Sequence, residues 1–182
     1  FRSDAAGEAA VAAAAHFLEE RLGVKPPVDP GREALRALLD RPIRVCGVVA
    51  VEGEPGGGPF WVASPDDGPT PQIVEASQID TGDPKQREIL AAATHFNPVD
   101  LVCGVRDHRG YPFDLERFVD PKAVFIARRS VDGRPLDALE RPGLWNGAMA
   151  RWITVFVEVP AATFAPVKTV FDLLRPAHQP AP

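Results

Sequence analysis

IRVCGVVAV, residues 43–51, is a near-continuous apolar run rich in β-branched side chains. Such a run predicts a strand buried on both faces, as strands are in α/β sheets with helices over the two sides. Ahead of it, Val11, Ala15, Leu18 and Leu22 share one face of a helix over residues 8–22, and Gly23 supplies the stop. Pro26, Pro27 and Pro30 read as a linker. Leu35, Leu38 and Leu39 then give a second short helix over residues 33–39, ending before Pro42. The two helices are expected to form a packing element, residues 1–40, in front of an α/β region, residues 41–182.

Beyond the first strand, GEPGGGP breaks the pattern, PFWV resumes it, SPDDGPTP turns the chain and PQIVEASQI reads as a further strand. That is a hairpin-like pair with an embellished connection. A helix over residues 84–94 opens with Asp83 as N-cap and Pro84 in its first turn. VDLVCGVRD and DPKAVFIARRS are expected strands, and LWNGAMARWITVFVEV passes from helix into strand. TFAPVKTVFDLLRP reads as a loop and then a short helix stopped by Pro176. Alternating strands and helices argue for an α/β fold, a layered mixed sheet with flanking helices.

With 182 residues, 45% hydrophobic and 25% charged, the chain has enough apolar matter for one sizeable core. Twenty basic residues against 25 acidic ones give a net charge of -5 with no basic block, so nucleic acid and anionic membranes are poor partners. AAVAAAAHF lacks a basic flank before it and reads as neither signal peptide nor span, which predicts a cytoplasmic address. Cys46 and Cys103 lie in apolar runs and are expected to be buried small hydrophobes in a reducing compartment, not a disulfide. Trp61, Trp145 and Trp152 are expected in the core, and Asn146-Gly147 reads as a helix start or turn. His16, His95, His108 and His178 show no ligand-type spacing, which predicts no structural metal.

The string LDALERPGLWNGAMARWITVFVEVPAATFAPVKTVFDLL, residues 136–174, resembles the close of the UTP-glucose-1-phosphate uridylyltransferase family. There an LExAxG-type helix leads to a strand, VPRxRF and PVKTxSDLL; Pro166-Val167-Lys168-Thr169 with Asp172-Leu173-Leu174 carries the most specific match. Val74 to Ile79, VEASQI, is similar to that superfamily's VEYSEI, and His95-Phe96-Asn97 to its FNTNN or GNI element. RVCGVVAVEGEPGGGPFWV, QIVEASQID, HFNPVDLVCGVRD and GLWNGAMA resemble an uncharacterised bacterial family, domain of unknown function 4301, placed with the nucleotide-diphospho-sugar transferases.

The resemblance implies a GT-A-like fold and a nucleotidyl transfer in which a sugar 1-phosphate attacks the α-phosphate of a nucleoside triphosphate, assisted by Mg2+. It gives Lys168 a phosphate contact and Glu75 the sugar hydroxyls; Asn97, able both to donate and to accept, suits a vicinal diol, and Gly47 would let a ligand approach the backbone. Each has a plainer alternative: a solvated lysine, an outward strand carboxylate, an Asx turn before Pro98 and a bulge glycine. Asp100, Asp107 and Asp114 are available to Mg2+, but nothing selects among them. The superfamily's glycine-rich nucleotide loop has no counterpart before residue 43, and GEPGGGP lies inside a hairpin with no amphipathic helix after it. Ala162 and Thr163 stand at the basic position of VPRxRF, and Ala76 replaces the tyrosine of VEYSEI. The chain is therefore expected to supply the sugar-phosphate side only, the nucleotide being held by a missing N-terminal half or a partner chain. The second reading is a non-catalytic sugar-phosphate or nucleotide-sugar binding module; the third is a structural scaffold.

Overall fold

A computed structural model describes residues 5–51, 57–63, 68–98, 101–144, 146–161, 167 and 169–180. Helix α1, Ala5–Leu22, ends at Gly23 with φ +62, and α2, Arg32–Leu39, packs on it. Leu18, Leu35 and Leu38 are buried between them, with Val11, Ala14, Ala15, Leu22 and Val24 around the cluster. The apolar face read from α1 is thus the face it buries.

Strand β1, Ile43–Ala50, is the centre of a mixed sheet. Four further short elements follow: β2, Gly58–Val62, β3, Thr70–Val74, α3, Pro84–Ala91, and β4, His95–Phe96. Then come β5, Leu101–Gly104, β6, Phe125–Val131, β7, Arg134–Glu140, and β8, Ile153–Glu158. Parallel β8 flanks β1 on one side; antiparallel β4 and β5 flank it end to end on the other. Both edges of β1 are thereby paired. Cys46, Val48 and Val49 are buried, as the apolar run predicts. The register shifts by two residues between Val49↔Phe96 and Cys46↔Leu101, so Gly47 and Val48 lie at a bulge. β2–β3 and β6–β7 are separate hairpins. The fold is mixed α/β, and none of the helices described is long and apolar enough to cross a membrane.

Five expectations are corrected. Residues 144 and 146–152 form turns, not a helix: Gly147 has φ +94, and the Asn146 side chain is spent on backbone groups outside the segment, Gly143 N, Ala123 O and Arg141 O. Leu136 to Glu140 lie in β7, because Asp132 and Gly133, both at positive φ, close a two-residue hairpin from β6. Cys103 is exposed on β5, and Trp61 is 65% exposed, while Cys46 and Trp152 are buried. The closing helix is two 3-10 turns, Val170–Leu174 and Pro176–His178. Trp145 lies outside the described residues.

Candidate functional site

Arg44 lies inside the apolar run of β1 yet is only 1% exposed. Its Nε donates to Thr154 Oγ1 at 2.9 Å and its Nη2 to Gln72 Oε1 at 2.6 Å. Burial lowers its pKa, against the opposing pull of the Cys46 and Cys103 thiols. Arginine nevertheless remains a cation at any ordinary pH. Because a guanidinium only donates, it fixes the amide of Gln72: Oε1 turns to Arg44, and Nε2 donates to Ala150 O at 3.0 Å.

Gln72 in turn forms part of a cavity of about 390 Å3 between β2–β3 and two turns of the later chain. One wall carries Thr70, Gln72, Val74 and Gln78; the other carries Asp120, Lys122, Asn146 and Arg151. The second wall is stitched mostly from bonds between its two turns. Asp120 N donates to Gly147 O at 2.9 Å, Lys122 N to Asp120 Oδ1 at 2.9 Å and Arg151 N to Phe118 O at 3.2 Å. Asn146 Nδ2 donates to Ala123 O and Arg141 O, and its Oδ1 accepts from Gly143 N. Two cations, one carboxylate and several neutral polar side chains thus share one concave surface. That combination suits a ligand with an anionic end and hydroxyls: ammonium and guanidinium for the charge, amides for the rest.

The family model described as Domain of unknown function (DUF4301) matches residues 2–179. The chain belongs to this family. Both the helical pair and the cavity of the DUF4301 chain lie within the matched residues. No curated protein matches the chain.

The structure of this DUF4301 domain brings Gly47, Asn97 and Glu75 into one neighbourhood. Asn97 is buried; its Nδ2 donates to Gly47 O at 2.7 Å across the bulge, and its N donates to Gly57 O at 2.9 Å. A Cβ on Gly57 would sit 3.4 Å from Glu75 Cδ. Glu75 caps the 3-10 turn Ala76–Gln78: its side chain accepts from Gln78 N, and Gln78 Oε1 accepts from Glu75 N at 2.9 Å. These polar groups are engaged in holding the backbone. The residues of the same segment that line the cavity are Val74 and Gln78. Lys168 lies outside the described residues, as does Asp100. Thr169, next to Lys168, is pinned: its N and Oγ1 donate to Asp172 Oδ2 at 2.7 and 3.1 Å.

Gln78, Lys122, Arg151 and Arg44 were not candidates from sequence. Glu75-x-x-Gln78 carries a capping signal that points to Gln78. Lys122 and Arg151 have none, since only the long-range pairing of β1 with β8 sets their turns beside β3. Among the described residues, no group of three His, Cys, Asp or Glu side chains is arranged for a metal.

Proposed function

We propose that this chain supplies the sugar-phosphate side of a nucleotidyl transfer, within a GT-A-like architecture completed by a nucleotide-binding half or partner chain. The observation that carries the reading is that Val74 and Gln78, from the segment resembling a sugar-binding element, wall the same cavity as Lys122 and Arg151. In this reading the two cations hold the phosphate while Gln72 and Gln78 orient the sugar. Such a transfer relies on positioning and charge neutralisation, so it needs no protein nucleophile. Lys168, which precedes the Thr169–Asp172 clamp in sequence, stabilises phosphate charge as it builds up. Asp120 is the single carboxylate of the described cavity lining, and its Oδ1 already accepts from Lys122 N. These residues do not fit a protein-held Mg2+.

Calorimetric titration with glucose 1-phosphate, glucose and inorganic phosphate tests the reading. Saturable binding of the sugar phosphate, at least about tenfold tighter than either part, is expected, with a further loss of at least about tenfold in Lys122→Gln/Arg151→Gln at unchanged melting. Absence of binding, or binding indifferent to the double substitution, sinks it. The purified chain alone is expected to release no pyrophosphate from a nucleoside triphosphate and a sugar 1-phosphate. Combined with the nucleotide-binding part it turns over, and Lys168→Ala lowers the turnover number by about 10². Sugar-phosphate binding without turnover in that combined system favours the alternative, a non-catalytic binding module.

A further inference from the structure

Arg44 is a buried cation whose partners, the Thr154 hydroxyl and the Gln72 amide oxygen, are both neutral. No carboxylate among the described residues is in hydrogen-bonding or ion-pairing contact with it. The thiols of Cys46 and Cys103 lie near the guanidinium, yet a thiol carries little charge near pH 7, and burial pushes that of Cys46 further up. Buried ions are ordinarily paired, because an unmatched one keeps most of its desolvation cost. Tying β1 to β3 and β8 does not by itself require a cation, since apolar side chains of similar size often serve stability as well.

A line of hydrogen bonds connects this guanidinium to the cavity that Gln72 lines. Nη2 donates to Gln72 Oε1 at 2.6 Å, so the nitrogen end of the amide is turned away from the charge. Gln72 Nε2 gives one hydrogen to Ala150 O at 3.0 Å and the other to Thr70 Oγ1 at 3.4 Å, a long contact that a stronger acceptor can replace. Thr70 Oγ1 accepts there, and its own hydrogen has no acceptor among the described residues. Arg44, Gln72 and Thr70 thus form a chain of donors running one way, from a buried cation to a hydroxyl on the cavity wall. Each bond in such a chain polarises the next, so Thr70 and Gln72 present stronger donors than isolated neutral groups would.

Resting on the sugar-phosphate reading of this cavity, we infer that its ligand carries a second acidic group, a carboxylate on the sugar, bound by Thr70 Oγ1 and Gln72 Nε2 and matched in charge by Arg44. The substrate class is then a carboxylated sugar 1-phosphate, with its phosphate on Lys122 and Arg151 of the opposite wall and its carboxylate on β3. A carboxylate brings two coplanar acceptor oxygens and one unit of charge to two neighbouring neutral donors and one buried cation. A phosphate dianion is better served by the charged side chains opposite. Arg44 touches no ligand in this arrangement; it is a positioning residue that holds Gln72 and strengthens the donors beyond it.

Calorimetric titration of the whole chain with glucuronic acid 1-phosphate, glucose 1-phosphate and glucose 1,6-bisphosphate tests the assignment. Glucuronic acid 1-phosphate is expected to bind at least about tenfold tighter than glucose 1-phosphate, since hydrogen bonds to an ionised group are stronger than those to a hydroxyl. Thr70→Val, at the cavity end of the chain, should bring the ratio of the two affinities to within about twofold of one at unchanged melting. Arg44→Met should do the same, whereas a merely structural arginine would weaken both ligands alike and leave their ratio standing. Should Arg44→Met not fold, Thr70→Val decides alone. Equal binding of the two sugar phosphates overturns the carboxylate while leaving the sugar-phosphate reading intact, as does tighter binding of the bisphosphate than of glucuronic acid 1-phosphate. A preference that survives Thr70→Val overturns the placement on β3. Binding of none of the three ligands overturns both readings.

Discussion

Asp107 organises the loop after β5 that carries Arg106, His108 and Phe113 into a cavity they line with residues of α1 and α2. Its Oδ1 accepts from Arg109 N at 2.9 Å and Tyr111 N at 2.8 Å. Lost hydration pushes its pKa up, but the two backbone N–H groups and the nearby His108 and Arg109 outweigh this and hold it below the usual carboxylate value. The folded pKa therefore lies below the unfolded one, about 3.9. Stabilisation from this carboxylate is fully present above that value and is lost as pH falls through the lower, folded one. Urea unfolding of wild type and Asp107→Asn should accordingly differ at pH 6 and converge towards pH 2; a difference constant with pH would exclude the linkage. At this scale, Glu75 and Asn97 were legible as polar candidates. Their partners were not, because the bulge opposite Gly47 and the approach of Gly57 depend on strands far apart in sequence. Arg44 was hidden for the opposite reason, lying in a run whose hydrophobicity masks one charge.

Turns, more than strands, decide where the cavity walls stand. Gly147 has φ +94, and a Cβ there would lie 2.4 Å from Ala123 Cβ and 3.0 Å from Asp120 O. Gly110 has φ +88 with nothing within 4 Å of such a Cβ. Gly110→Ala therefore meets backbone strain alone, on the order of 1 kcal/mol, whereas Gly147→Ala adds overpacking and should cost about 2 to 4 kcal/mol. Chemical denaturation of both variants checks the ranking, and equal losses would mean that the Ala123 contact yields. β1 and α3 were readable as elements because their signals are local: a β-branched run, and Asp83, whose Oδ1 accepts from Lys85 N at 2.8 Å ahead of Pro84. The segment after Gly143 was misread because Leu144, Met149 and Trp152 suggest a helical face, while Asn146 and Gly147 favour other backbone partners. The β6–β7 hairpin did carry a local signal, Asp132-Gly133, between its strands.

Among the described residues, Phe171, Leu174, Val170 and Val102 are each 70% exposed or more. Such a surface accords with the proposal that further protein covers part of this domain. Stability should then be uneven: amides of β1 and β8 are expected to exchange slowest with deuterium, and those of the exposed β6–β7 hairpin much faster. Uniform protection across these four strands would contradict that ordering. The parallel pairing of β1 with β8 also has a consequence for synthesis. Arg44 and Thr154 bond across a separation of 110 residues. At roughly 5–20 residues per second, a nascent chain carries β1 for about 6–22 s before the ribosome has made its parallel neighbour. Throughout that interval one edge of an apolar strand awaits its partner, which makes translation speed between residues 50 and 153 a determinant of how much chain reaches the native sheet without aggregating.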